Sequence, residues 1–303
     1  MKIAAIVVTY NRLDLLKKSL AAVEAQNRHP DHLIIVDNAS TDETADYLAT
    51  REYAFPTTVR TMNENTGGAG GFYAGMRLAY EQGADAMWIM DDDTAPRPDA
   101  LGELESALVD ATDFYGAMPA YASSMVVWAG DGQACQMNFP TAKWGWVAPL
   151  AAGKPYMTLD CTSFVSCLIT REAVEACGFP YPEYFIWFDD AEYTYRLSKW
   201  RPGIFVPASV ADHMMPANSA AFWGEVNEKN LWKYAHGARN QVAAGLSLHR
   251  LDILASLAQN LLAQVYLSRS VPAKMKWKLG KAAASGLVFH PRRRFPERKD
   301  CCR

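Results

Sequence analysis

The sequence predicts an α/β fold, a mostly parallel sheet with helices on both faces, with a helical extension at its C-terminal end. Three observations predict it. Through the first hundred residues, short apolar and β-branched runs alternate with segments of helical period, the pattern of repeated strand–helix units. The runs are apolar throughout rather than alternating, as in strands covered on both faces. Polar clusters follow each run directly, and sheets of this kind bind ligands at the carboxyl ends of their strands.

Each element has its own signal. KIAAIVVTY (2–10) is a buried strand, and NRLDLLKKSLAAVEAQ (11–26) a helix with Leu13, Leu16, Leu20 and Val23 at helical spacing and Asn11 as N-cap. HLIIVDN (32–38) is the second strand. STDETADYLATR (40–51) is a helix opening on hydroxyl and acidic residues. TTVRTMNE (57–64) is the third strand, GGFYAGMRLAYEQG (70–83) the third helix, and DAMWIMD (85–91) the fourth strand. Residues 115–180 are irregular and aromatic-rich, although CTSFVSCLITREAVEACG (161–178) reads as strand then helix. FPYPEYFIWFDDAEYTYRLSKW (179–200) begins in a proline-rich loop and ends as a helix, and GIFVPASVADHMM (203–215) is the last strand. Residues 222–290 read as helical, and 291–303 as a basic tail, disordered or surface-bound.

At 303 residues, 50% hydrophobic and 21% charged, the chain suits one large domain or a domain with an appended module. Six cysteines without paired or zinc-finger spacing point to reduced thiols in a cytosolic setting. Cys301 and Cys302 are open to two readings, lipidated or inert. The start turns polar too soon for a signal peptide. No window reaches the roughly 18 to 20 apolar residues that span a bilayer. The longest candidate, 251–268, is interrupted by Asp252, Gln259, Asn260 and Gln264, and Leu251, Leu254, Leu257, Leu261 and Val265 make it one-faced. From Arg250 onward, 12 Lys or Arg stand against 3 acids, leaving 18 basic and 30 acidic residues elsewhere. A basic end on an acidic body suggests an anionic surface as partner. A membrane fits better than nucleic acid, since no nucleic-acid-binding signature accompanies the charge.

Four motifs carry chemistry. Asp91, Asp92 and Asp93 crowd the end of the fourth strand. Such carboxylates suit a hard divalent cation, Mg²⁺ or Mn²⁺, which shares its shell with substrate phosphates; the bland alternative is a helix cap or solvated turn. In ENTGGAGGFYAG (64–75), Gly67, Gly68, Gly70 and Gly71 let a backbone approach a ligand. The pattern is neither a Walker A loop nor a dinucleotide fingerprint, and alone it also suits a flexible turn. In WFDDAEYTYR (187–196), Asp189 and Asp190 follow aromatic residues. Such a setting raises the pKa of a general base by desolvation; the alternative is ordinary helix N-terminal charge. His213 ends an apolar strand. It is either a satisfied core residue or the nitrogen ligand of a metal set with the aspartates.

Together these residues resemble family 2 glycosyltransferases of the GT-A fold, a Rossmann-like α/β architecture. IVVTYNR, IIVDNASTD and DDD resemble that family's nucleotide half. The glycine run Asn65–Phe72, Met90–Asp93 and Trp187–Tyr193 resemble bacterial galactofuranosyltransferases, the resemblance covering about residues 3–240. It implies a GT-A domain over 1–221, with a nucleotide half at about 1–100 and an acceptor half at about 101–221. An extension (222–290) and the basic tail (291–303) follow.

Carried over residue by residue, the resemblance gives Asp91, Asp93 and His213 a metal bridging the donor diphosphate. Thr9, Tyr10, Arg12 and Asp37 would lie around the uracil and ribose, and Asp92 would face ribose or donor. Asn65 and the Gly67–Gly71 loop would wrap the diphosphate and sugar. Asp190 would deprotonate the acceptor, with Asp189, Glu192, Trp187 and Trp144 or Trp146 binding it. Arg239 and Asn240 would stand near the donor phosphates or at the start of the extension.

The implied reaction is inverting, metal-dependent transfer from UDP-galactofuranose to a hydroxyl of a lipid-linked or oligosaccharide acceptor of a cell-surface glycan. The implied place is cytoplasmic, peripheral at the inner face of the cell membrane. A rhamnosyltransferase using dTDP-rhamnose is the alternative on the same fold; a non-catalytic glycan or sugar-nucleotide binding module is a remoter one. A nucleotidyltransferase would show a glycine-rich N-terminal loop in place of VVTYNR. The polymerising galactofuranosyltransferases are about twice this length with an additional N-terminal sandwich, so one or a few additions are expected. Lys274, Lys276, Lys278 and Lys281 around Met275, Trp277 and Leu279 suit anionic headgroups, unless they form a solvated basic helix; the 251–268 stripe suits a homo-oligomer.

Overall fold

The computed structural model describes residues 1–297. Its first part alternates as the periodicity requires: β1 (Ile3–Thr9), α1 (Leu13–Glu24), β2 (His32–Asp37), α2 (Thr44–Thr50), β3 (Thr57–Thr61), α3 (Gly67–Glu81) and β4 (Ala86–Asp91). Then follow β5 (Thr94–Pro96), α4 (Ala100–Tyr115), β6 (Tyr121–Trp128), β7 (Thr141–Ala142), α5 (Ala148–Ala151), β8 (Met157–Cys161), β9 (Cys167–Thr170), α6 (Arg171–Cys177), α7 (Asp189–Trp200) and β10 (Gly203–His213). The extension consists of α8 (Leu231–Ser247), α9 (Leu251–Asn260), a wide helical turn at Leu261–Tyr266, and α10 (Ala273–Ser285).

All the strands join one sheet in the order β3-β2-β1-β4-β9-β6-β10-β8-β7, with β5 on β10. Strands β1 to β4 are parallel, β9 runs antiparallel to both its neighbours, and β6 and β10 are parallel. The strand period of two splits β1 between two cores: Ile3, Ala5 and Val7 pack towards α1 and α4, while Ala4, Ile6 and Val8 pack towards α3 and α7. Burial on both faces is why these strands read as unbroken apolar runs.

Several expectations are corrected. Asn11 does not cap α1: its backbone is left-handed (φ 53°), and its Oδ1 accepts from Thr41 N (2.7 Å), tying the end of β1 to the loop after β2. Helix α3 begins at Gly67 rather than at residue 70. Residues 115–180 hold β6, β7 and β8 besides the expected strand and helix. In the 251–268 stripe, Leu257, Leu261 and Val265 are buried as expected, but Ile253 takes the place of Leu251, which is 78% exposed.

The extension has a core of its own around Trp223, Tyr234, Ala238, Leu261 and Met275, into which Trp187 packs. The described part of the tail is bound to the surface: Phe179 N donates to Arg294 O (2.8 Å), and Arg294 pairs with Glu183. Cys301 and Cys302 lie outside the described residues. Cys135, Cys161, Cys167 and Cys177 are free, buried thiols. Among the described residues no helix is long and apolar enough to cross a membrane.

Candidate active site

Asp91 ends β4, and Asp92 and Asp93 form the tight turn into β5. Because β5 pairs antiparallel with the end of β10, setting Thr94 opposite His213, the histidine arrives beside the turn. Its Nε2 lies 3.2 Å from Asp93 Oδ1. The ring's Nδ1 donates to Asn138 Oδ1 (2.8 Å), while the amide of Asn138 donates to Ser163 Oγ (2.8 Å). With its proton on Nδ1, the imidazole turns the Nε2 lone pair towards a carboxylate oxygen. That oxygen is buried and has no hydrogen-bond partner. Two electron-rich atoms so close call for a positive species between them, and a histidine whose far nitrogen is held by an acceptor is the usual metal ligand.

Arg12 supplies part of the counter-charge, its Nη1 lying 2.8 Å from Asp93 Oδ2 and 3.3 Å from Asp92 Oδ1. Asp92 is buried and also accepts from Thr9 Oγ1 (2.8 Å). Burial pushes its carboxyl up to about 6 against the pull of Arg12 and Thr9. Burial would likewise raise Asp93, but His213, when its ring is protonated, and Arg12 outweigh it and hold that carboxyl below its ordinary value. Asp91 is driven well above its ordinary value, first by burial and then by the charges of Asp93, Asp92 and Asp189. The influence of Asp189 places the two aspartate clusters, about a hundred residues apart in sequence, within electrostatic reach of each other.

Asp189 and Asp190 open α7. Both carboxyls are raised by burial, and the neighbouring charge of Asp190 pushes Asp189 further. Asp190 ionises first of the two; Ala191 N donates to its Oδ1 (2.7 Å). The approach to this pair is strained. Phe185, Trp187 and Phe188 all have positive φ, unfavourable for bulky residues. Helix α8 holds the loop in that shape. Asn240 Nδ2 donates to the carbonyls of Tyr184 (2.9 Å), Ile186 (3.1 Å) and Trp187 (2.8 Å), and Arg239 donates to those of Glu183 and Tyr184. Trp187 lies against Gly237, where a Cβ would come within 2.8 Å of its ring. On the other side, Ala69 N donates to Phe185 O (3.2 Å). Gly67 has φ +71°, and a Cβ there would fall 2.0 Å from that same oxygen.

These contacts revise several assignments. Asn240 spends its amide donors on backbone carbonyls, and Arg239 divides its donors between two carbonyls and Asn240 Oδ1, so both shape the Asp189–Asp190 loop. Gly67, Gly70 and Gly71 are buried in the first turns of α3, and a Cβ on Gly70 or Gly71 would strike Thr66 or Val8. They permit close packing on the sheet; Gly68 alone of the four is not fully buried. Glu192 is buried with Arg196, which donates to both its carboxylate oxygens (2.9 and 3.0 Å), so it is not available to an acceptor. Trp144 and Trp146 are exposed beside β7, five strands from β4, about 24 Å along the sheet at ordinary spacing. Nothing brings them to the aspartates.

The residues expected around the nucleotide cluster more closely. Thr9 and Arg12 hold the aspartate turn, and Tyr10 is 40% exposed beside it. Asp37 is buried, with one oxygen accepting from Ser40 N (2.9 Å) and Oδ2 without a partner. Asn65 caps the start of α3 by accepting from Gly67 N (2.8 Å). Asn38 bridges it to β2, donating to Asn65 Oδ1 (3.1 Å) and accepting from Thr66 N. Asn38 stood within the polar cluster after the second strand; Asn138 lay in an irregular stretch without any signal.

As for a divalent cation, the residues fit one in part. Asp93 and His213 present a carboxylate oxygen and an imidazole nitrogen to one point. Among the described residues, however, no three His, Cys, Asp or Glu side chains converge as a metal cluster. The expected trio is therefore a pair here, with Arg12 on the remaining oxygen of Asp93. A two-residue seat matches cations whose shell is completed by substrate phosphates.

Residues 4–150 match the model of the family described as Glycosyl transferase family 2. The match covers just under half of the chain. It contains the aspartate turn, whereas Asp189, Asp190 and His213 lie beyond the matched segment. The chain is 44% identical over 94 residues to galactofuranosyltransferase GlfT1 of Mycolicibacterium smegmatis, 31% of this chain and 30% of that one. It is 31% identical over 131 residues to the undecaprenyl-phosphate mannosyltransferase of Micrococcus luteus, 42% of this chain and 53% of its relative. The matches thus span well under two thirds of these relatives' lengths.

The mannosyltransferase PcManGT from Pyrobaculum calidifontis, solved with GDP-Man and Mn²⁺, superposes with a TM-score of 0.58 at 18% identity, over 96% of this chain and 76% of that one. S. aureus TarS 1-349 in complex with UDP-GlcNAc gives 0.58 at 15%, over 95% and 81%. These likenesses show the GT-A fold.

Proposed function

We propose that this chain is an inverting glycosyltransferase that moves galactofuranose from UDP-galactofuranose to a hydroxyl of a lipid-linked glycan acceptor. One observation carries the chemistry: the Asp91–Asp93 turn, at the carboxyl end of a parallel strand, lies within electrostatic reach of a second, half-buried carboxylate pair, Asp189 and Asp190. The choice of sugar is supported by the galactofuranosyltransferase relatives. A polyprenyl-linked acceptor is supported by the undecaprenyl-phosphate mannosyltransferase.

Asp190 takes the proton of the acceptor hydroxyl as its oxygen bonds to the anomeric carbon. The bond from that carbon to the diphosphate breaks on the opposite side, and UDP leaves with the electron pair. Raised to about 6, Asp190 is ionised at neutral pH yet more basic than an exposed carboxylate. Asp189, higher still, keeps its proton and donates to a sugar hydroxyl. A divalent cation, Mn²⁺ or Mg²⁺, seated on Asp93 and His213, would offset the charge of the leaving diphosphate. The free Oδ2 of Asp37 accepts from the base or ribose. Lys274, Lys278 and Lys281, with the 66% exposed Trp277, lay α10 on an anionic membrane surface at the cytoplasmic face.

The test is turnover of a panel of UDP- and dTDP-sugars with Mn²⁺ and with EDTA. Metal-dependent turnover of UDP-galactofuranose, lost in Asp190→Asn while UDP binding remains, is expected. Preference for dTDP-rhamnose overturns the donor and keeps the chemistry; no binding of any nucleotide sugar overturns the whole reading.

A further inference from the structure

Lys233 stands in the first turn of α8, its backbone N–H donating to Asn230 O (2.9 Å). The ammonium lies 6.0 Å from the ring centre of Trp187 and 5.9 Å from that of Trp232, held between two indoles. The rings limit its motion, and α8 is itself pinned to the active-site loop by Asn240. Half-buried, the ammonium lies within electrostatic reach of Arg12 and Asp93. Yet among the described residues it has no hydrogen bond or ion pair. Arg12, by contrast, is committed to Asp92 and Asp93. Burial and the like charge of Arg12 both disfavour the ammonium, so its pKa falls below the ordinary lysine value, with Asp93 offsetting only part.

An ammonium kept at such a place without a partner is explained by an anion that comes and goes. Carboxylates already crowd the site, so the anion must arrive with a ligand. Phosphate is the anion a lysine binds as a point charge. We propose that Lys233 binds a phosphate of a diphosphate-bearing ligand seated at the Asp91–Asp93 turn, so that the helical extension supplies part of the anion site. This rests on the reading of the turn as a nucleotide-sugar site. The diphosphate has two possible sources, the nucleotide donor and a polyprenyl-linked acceptor, and the experiment separates them.

Calorimetric titration of the full chain with Mn²⁺ present would compare UDP, uridine, inorganic pyrophosphate and geranyl diphosphate, for the native protein, Lys233→Met and Lys233→Arg. Loss of one hydrogen bond to a charged group weakens binding about 10- to 100-fold. Lys233→Met is expected to lose that much for pyrophosphate and for UDP, with uridine unchanged, and Lys233→Arg to recover most of it. A loss for geranyl diphosphate with UDP unaffected assigns the lysine to the lipid source instead. Lys233→Met binding all three diphosphates as the native protein does overturns the proposal. So does equal weakening of uridine with a lowered melting temperature, which marks a structural role. Native protein that binds pyrophosphate but not UDP keeps the lysine's role and refutes the nucleotide reading; native protein that binds neither UDP, pyrophosphate nor geranyl diphosphate refutes both.

Discussion

Replacing Asp190 by Asn should abolish turnover and, at alkaline pH, make the protein more stable. The folded structure raises the Asp190 carboxyl from 3.8 to about 6, chiefly by desolvation. A carboxyl whose folded pKa lies above its unfolded one favours the folded state only while protonated. That contribution is complete below about pH 4 and is lost as pH rises through about 6; above that, the carboxylate is a liability. Two units correspond to about 3 kcal/mol. Because the side chain is partly exposed, about 1–3 kcal/mol is the expected gain for a neutral isostere. Removing the charge also relieves Asp189, whose carboxyl it pushes up. For a chain of this size the gain corresponds to a melting temperature higher by roughly 2 to 5 °C. Thermal denaturation at pH 8 and pH 4 measures it: a clear rise at pH 8, and none at pH 4, where both proteins are neutral at this position. The native enzyme's kcat/KM for acceptor should fall as pH drops through about 6. An unchanged or lower melting temperature at pH 8 would mean that the carboxylate is well solvated. Retention of more than about a tenth of the native turnover would remove Asp190 from the role of base, since general bases contribute about 10²- to 10⁴-fold.

Asn138→Leu takes the acceptor from His213 Nδ1, and Mn²⁺ affinity, measured by titration with UDP present, should weaken about 10- to 100-fold. Glu192→Gln leaves the buried guanidinium of Arg196 without its charge partner; the protein should lose about 3–5 kcal/mol of stability in chemical denaturation, with acceptor KM unchanged in whatever remains folded. Asn240→Ala strands the carbonyls of Tyr184, Ile186 and Trp187, so kcat should fall along with about 1–3 kcal/mol of stability. Gly71→Ala forces a methyl to within 2.4 Å of Val8 Cγ1 and should cost about 1–3 kcal/mol by overpacking.

The first part of the fold, β1 to β4, was legible because its signals are local. A strand buried on both faces must be apolar at every position, and a helix laid on it must be apolar at every third or fourth. The order of β1 to β4 with their helices therefore stood in the periodicity, and the aspartate turn stood out as charge where a strand ends. Strand β6 escaped notice for a reason of the same kind. Its buried Ser123 and Ser124 are satisfied by Thr162, Ser166 and Ser209, partners distant in sequence, so the segment lacks an apolar pattern. Glu192 and the glycines misled because a residue type admits several uses. A glutamate two residues after Asp190 resembles a ligand group until its arginine is seen, and a glycine run resembles a cradle until the space beside Gly67, Gly70 and Gly71 proves to be filled.

By itself, the sequence determined the α/β class, the strand-end location of the site and the two aspartate clusters, since each follows from composition and spacing within a few residues. Only the tertiary structure decided what those clusters meet. The pairing of β5 with β10 carries His213 to Asp93. Asn240 and Arg239 of α8 hold a strained loop so that Asp189 reaches the field of Asp91, and Lys233 comes with that helix. Each of these depends on a contact between segments tens to more than a hundred residues apart, with energies set by desolvation and by hydrogen bonds to particular carbonyls, and neither leaves a period in the chain.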